Sequence, residues 1–204
     1  EEDDEIDIGC AGGIDVTASQ TYNVESAKGQ TVKITVKGLQ GGHSGMDIHK
    51  GFGNANVILG RLLYHGIENQ NIQLISIDGG GLRNAIPREG NAVVSVRNSV
   101  EFIEAANSLK ASILEEFASV EKDLHINIET FSTPEMAISN EDSKKIILAL
   151  KAAHNGVYRM SPDVADLVET SNNIARVLLQ NGELTLMNLA RSSVDSTKNA
   201  VAEQ

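Results

Sequence analysis

A histidine enclosed by glycines, Gly41-Gly42-His43-Ser44-Gly45, is the first segment of this chain whose residue types and spacing could do chemistry. A loop so rich in glycine lets a ligand or another backbone approach closely. The imidazole has two readings. It is either a turn histidine bonded to backbone or a donor aimed at charge that develops on a substrate. Ser44 does not make a nucleophile elbow: Gly-x-Ser-x-Gly needs a glycine two residues past the serine, and Met46 stands there. The glycine-lysine signature of a phosphate-binding loop is also absent.

A second segment, Arg83-Asn84-Ala85-Ile86-Pro87-Arg88, follows the glycines at 79–81. It reads as a turn device, or as a way to bring an amide and a guanidinium to a polar pocket. Arg191 closes an apolar run just before two serines, where a guanidinium fork could grip a carboxylate. The remaining histidines are predicted to be surface groups. His49 is six residues from His43, the wrong spacing for a zinc-binding pair, and His65, His125 and His154 stand alone. The acidic opening run, Glu1 to Glu5, has no nearby imidazole. No metal site is expected within the chain.

Composition narrows the function classes. Seventeen Lys and Arg against 28 Asp and Glu give a net charge of −11, a field that repels nucleic acid and anionic membranes, so neither is expected as a partner. The single cysteine, Cys10, excludes an internal disulfide and any multi-cysteine zinc site. No apolar stretch approaches the roughly 20 residues of a membrane span. With no signal-like segment, a cytoplasmic location is expected. The chain opens without Met and closes on a helical pattern, so a piece of a longer protein is expected.

The elements that must hold these residues show in the periodicity. Thr31 to Lys37 alternates as a half-buried strand. Asn54 to Tyr64 and Val100 to Val120 carry apolar residues at helical spacing. Strands are predicted over 71–78, 92–96 and 124–129, and a helix runs to about His154 behind a Ser139-Asn140-Glu141-Asp142 capping box. Asn181-Gly182 signals a hairpin between 174–180 and 183–190, and a last helix starts near Val194. Arg97-Asn98-Ser99-Val100-Glu101 and Arg191-Ser192-Ser193-Val194-Asp195 look alike, each a strand-to-helix junction with its Ser as the expected N-cap. This similarity is either a common junction or the trace of a duplication. The predicted fold is α+β, an antiparallel sheet with helices packed on one face and two repeated sub-halves, about 14–122 and 123–204.

Four segments in order, Ile8-Gly9-Cys10-Ala11-Gly12-Gly13, Gly41 to Asp47, Arg83 to Arg88 and Val168-Glu169-Thr170-Ser171-Asn172-Asn173, resemble the aminoacyl-histidine dipeptidase (peptidase D) family. These are carnosinase-like zinc dipeptidases. The resemblance spans essentially the whole chain. It implies a cytoplasmic metallopeptidase hydrolase in which a catalytic domain with two zinc ions carries an inserted lid. Residues 1–13 would be a flank of the catalytic domain and 14–204 the lid. The first zinc ligand would fall just before Glu1, and the fragment itself would be inactive.

The same resemblance gives roles to individual residues. His43 would donate to the oxyanion formed when zinc-activated hydroxide attacks the peptide carbonyl. Asn84 would bind the substrate. Arg191, with Arg97 as its rival, would hold the C-terminal carboxylate. The expected partners are a dipeptide such as Xaa-His, the catalytic domain of the same chain, and a second copy in a homodimer. The other readings are a stand-alone α+β ligand-binding module and a dimerisation module.

Overall fold

Val32, Ile34 and Val36, the apolar face of the alternating segment, are fully buried, while Thr31, Lys33 and Thr35 between them stay half-buried. This period of two makes one face of a sheet apolar, and that face collects the helices. The structure is a computed structural model that describes residues 11–131 and 136–204. The acidic opening run, Cys10 and most of the expected 1–13 flank lie outside the described residues.

The first half runs β1 (Gly12–Thr21), β2 (Val24–Ser26), β3 (Gln30–Lys37), β4 (Gly42–His43), α1 (Ala55–Asn69), β5 (Gln73–Gly80), β6 (Ala85–Ile86), β7 (Gly90–Val96) and α2 (Ser99–Phe117). There follow β8 (His125–Phe131), β9 (Met136–Ile138), α3 (Asn140–Ala152), β10 (Gly156–Met160), β11 (Val168–Gln180), β12 (Glu183–Ser192) and α4 (Asp195–Ala202). Eight strands form one antiparallel sheet in the order β1-β12-β11-β5-β7-β3-β8, with β10 also on β11. The expected α+β class, with helices on one face of an antiparallel sheet, is what the chain adopts. Two strands cross the boundary drawn at 122/123: β8 pairs with β3, and β1 with β12.

The core lies between this sheet and α1, α2 and α3. Ile58, Leu59, Leu62 and Leu63 of α1 pack with Phe102 and Ile113 of α2 and Ile146 and Ile147 of α3 over Val32, Ile34, Leu74, Val94 and Val177. Each large side chain so buried contributes on the order of 2 kcal/mol. With 3% aromatic residues, this core is aliphatic. Register shifts after Leu74 and after Ile174 mark bulges that keep Ile77 and Val177 on the same face as those residues. On the opposite face, Ile75 and Val93 are covered by Ala137 of β9.

Two helix caps differ from expectation. At α2 the cap is Asn98, not Ser99: its side chain accepts from Val100 N at 3.2 Å and Glu101 N at 3.3 Å. Ser99 becomes the first helical residue, its N–H donating to Gln30 Oε1. At α4 the cap position is Val194, not Ser193, and Ser192 Oγ accepts Val194 N–H instead. Asn caps as well as Ser, and Ser192 is drawn to buried Thr170, so the two junctions shift by one residue. The expected cap at Ser139 forms, with Asp142 taking the serine hydroxyl at 2.8 Å rather than the main-chain N–H of a capping box.

Asn54 joins the helix layer to the sheet. It is 3% exposed. Its Oδ1 accepts from Asn56 N and Val57 N, and its Nδ2 donates to Asn155 Oδ1, Asn173 Oδ1 and Ile174 O. Asn54→Ala removes the cap and strands buried partners, so it is expected to destabilise the chain by about 2–4 kcal/mol. Urea unfolding of the purified chain measures this, and a loss below about 1 kcal/mol would reduce Asn54 to an ordinary cap.

Candidate functional site

The glycine-rich loop and the Asn-Ala-Ile-Pro segment meet as a two-stranded ribbon, with Gly42 opposite Ile86 and His43 opposite Ala85. Gly41 and Gly42 reach this ribbon at φ of 68° and 150°, where a side chain is strained. Asp47 then closes the loop on itself. Its Oδ2 accepts His43 N–H at 2.7 Å, and its own N–H donates to His43 O at 2.9 Å. The bond from Lys50 and the His43 amide hold the pKa of the Asp47 carboxyl below its ordinary value.

The loop also orients the imidazole. Main-chain N–H groups of Gly45 and Met46 donate to His43 Nδ1 at 3.3 and 3.2 Å. A nitrogen that accepts carries no hydrogen, so the ring presents Nε2–H as its outward donor. The backbone fixes its tautomer and leaves the other nitrogen as a donor.

Arg191 reaches the same place from the other end of the sequence. It stands on β12 opposite Ser171 of β11 and Gly13 of β1. Its Nε donates to the Oγ of buried Ser44 at 3.4 Å. Gly45 lies between the two: a Cβ there would meet Arg191 Cδ and His43 Cε1, each at 3.3 Å. The glycine thus permits the imidazole and the guanidinium to converge.

Both residues line a cleft of about 370 Å³, together with Met46, His49, Leu167, Val168, Glu169 and Ser171. Thr170 and Ser192 alternate with Ser171 and Arg191 along their strands, and they bond Thr197 of α4. The cleft therefore opens on the sheet face away from the helices.

Asn84 borders this arrangement without lining the cleft. Its main-chain O accepts Ser44 N–H at 2.8 Å, and the residue is exposed. Arg97 follows the last residue of β7, at the opposite end of that strand from Pro87, and is not part of the cleft. The guanidinium in the Asn84 segment is structural: Arg83 donates to Thr17 Oγ1 at 2.6 Å and to Val16 O and Asn188 O at 3.5 Å, pinning the segment to β1 and β12.

Sequence reasoning gave Glu169, Ser171 and His49 no role. The signal for the first two was the run of polar residues Glu169 to Asn173 inside a strand, all buried. A polar run can only be buried there if it is bonded or in use.

A larger hollow of about 560 Å³ lies between α1, α2 and α3, lined by Arg61, Tyr64, Leu109, Leu150, Lys151 and His154 among others. It contains none of His43, Asn84, Arg97 and Arg191. Arg61 is committed to Glu116 at 2.8 Å, and Lys151 Nζ sits 3.5 Å from the centre of the Tyr64 ring. The smaller cleft is where the His43 imidazole and the Arg191 guanidinium converge. Among the described residues there is no group of three or more His, Cys, Asp or Glu side chains suited to a metal, and no helix is long and apolar enough to cross a membrane.

Comparison with known proteins bears on this cleft. Residues 29–125 match a family described as a peptidase dimerisation domain. The cytosol non-specific dipeptidase of Escherichia coli (strain K12) is 38% identical over 98% of this chain. The crystal structure of an aminoacylhistidine dipeptidase from Vibrio alginolyticus superposes with a TM-score of 0.89 at 36% identity over 96% of this chain. The chain spans 42% of the length of each of these relatives. It is homologous to the aminoacyl-histidine and cytosol non-specific dipeptidases along nearly its whole length, and its residues 29–125 match the peptidase dimerisation domain family.

Proposed function

We propose that this chain is the lid of a cytoplasmic dipeptidase and closes over a dipeptide held by a catalytic domain elsewhere in the same protein. The observation that carries this is the convergence of the His43 Nε2–H donor and the Arg191 guanidinium on one cleft. A dipeptide offers two matching groups, a carbonyl that becomes an oxyanion and a free carboxylate. His43 donates to the first and Arg191 holds the second with parallel N–H donors. Asn84, exposed beside the ribbon, reaches the peptide unit as the lid closes. Residues 14–204 form the lid, and a second copy joins through the 29–125 region.

The described residues do not make a zinc centre. The two zinc ions implied by the resemblance belong, on this proposal, to the part of the protein outside the chain. They would supply the activated water, while the residues here bind, orient and stabilise charge.

The deciding experiment assays the full-length protein for β-alanyl-histidine hydrolysis with and without a chelator. Hydrolysis that the chelator abolishes and added zinc restores is expected. Chelator-resistant hydrolysis, or none on any dipeptide, would overturn the proposal.

A further inference from the structure

Glu121 is a buried carboxylate that the proposed function does not use. It is 3% exposed. It stands in the turn after α2, where its main-chain N–H donates to Phe117 O at 2.8 Å and its O accepts Leu124 N–H at 3.2 Å. Its two side-chain oxygens reach different parts of the chain. Oε2 accepts Gln40 N–H and Oε1 accepts Gly53 N–H, each at 2.8 Å. Among the described residues the carboxylate forms no ion pair, so both bonds come from main-chain amides. Burying a carboxylate without a cation is costly, and two short charge-assisted bonds offset that cost.

Gln40 and Gly53 are the two ends of the loop that carries His43. Between them lie His43, Gly45, Met46 and His49, which form one wall of the cleft. The Gln40 side chain adds a bond to Val120 O in the same turn as Glu121. Gly53 permits the close approach, because a Cβ there would meet Leu39 Cδ2 at 2.6 Å and Glu121 Cγ at 3.6 Å. The two groups to be held are both donors. A carboxylate offers each an acceptor, whereas an amide of the same shape would turn its NH2 group on one of them.

Outside this clamp, Leu39 N–H donates to Arg88 O at 3.3 Å and Ala55 N–H to Pro87 O at 3.1 Å. These pairs fasten the base of the loop without Glu121. What the carboxylate adds is a fixed position for the segment between Gln40 and Gly53.

We propose that Glu121 is a positioning residue for the lid's part in peptide hydrolysis. By tying both ends of the loop to the end of α2, it holds the His43 Nε2–H where the oxyanion forms. This rests on the dipeptidase reading above, with His43 as the donor.

The test is a double-mutant cycle in the full-length protein: wild type, Glu121→Gln, His43→Ala and the double variant, each assayed on β-alanyl-histidine. Glu121→Gln should lower kcat roughly ten- to fiftyfold with KM within about threefold, since Arg191 stands on β12 outside the loop. In the His43→Ala background the same substitution should cost about twofold or less, because the group it positions is already gone. A merely structural role would lose the same factor in both backgrounds. Equal loss in both backgrounds, or unchanged kcat in Glu121→Gln, overturns the proposal.

Hydrogen exchange of the full-length wild type provides a second measurement should the variant fail to fold. The Gln40 and Gly53 amides should exchange at least about tenfold slower than that of exposed Gly51, and exchange as fast as Gly51 overturns the clamp. A wild type that cleaves no dipeptide, or a His43→Ala variant with unchanged kcat, would instead refute the dipeptidase reading and the proposal with it.

Discussion

His43→Ala in the full-length protein is expected to lower kcat by about 10²–10³ while KM changes little, because an oxyanion donor acts mainly in the transition state. The geometry separates this effect from misfolding. Asp47 clamps the main chain of residue 43, not its ring. The alanine variant loses only the acceptor for the Gly45 and Met46 amides, and Met46 is exposed, so water can replace it there. Steady-state kinetics on β-alanyl-histidine, with a thermal melt as control, measures the effect. Unchanged kcat in a folded variant would return His43 to a turn residue.

Arg191→Lys should be impaired chiefly through KM, with a fall of roughly ten- to hundredfold in kcat/KM, since lysine keeps the charge but loses the parallel donors. Among the described residues Arg191 is bonded through Nε alone, to Ser44, which leaves its terminal nitrogens to a ligand. Amidating the substrate's C-terminus should hurt wild type severely and the variant little further. Equal cleavage of amidated and free dipeptides by wild type would refute the carboxylate clamp. A coupling found at Arg97 instead would contradict the geometry, because Arg97 lies at the far end of β7.

Much of this was legible in the sequence wherever a local period or turn governs structure. The alternation at Thr31 to Lys37, the apolar stripes of α1 and α2 and the Asn181-Gly182 turn each specify an element from within a few residues. β1 was not legible. Its ten residues are mostly exposed, and its pairing comes from β12, at the other end of the chain. β2 and β9 are short and depend in the same way on each other, from opposite halves of the chain, while β10 is a short strand whose pairing with the neighbouring β11 is broken by register shifts. The caps moved because Asn98 competes equally with Ser99 and because Ser192 had buried hydroxyl partners that no local pattern reveals.

For the site, the glycines marked His43 and the strand end marked Arg191. Their convergence across Gly45 spans 147 residues between Ser44 and Arg191 and could not be read from either segment.

The joint between β5 and β11 has a consequence for how the protein is made. Ile77 to Gly80 pair with Leu179 to Arg176, roughly 100 residues downstream. At about 5–20 residues per second, a ribosome needs on the order of 5–20 s to deliver that partner after β5 has emerged. Throughout that interval β7 can cover one side of β5, while the other side presents unpaired N–H and C=O groups to solvent. The nascent chain is thus most prone to wrong strand pairing during this pause, until β11 arrives to shield that edge.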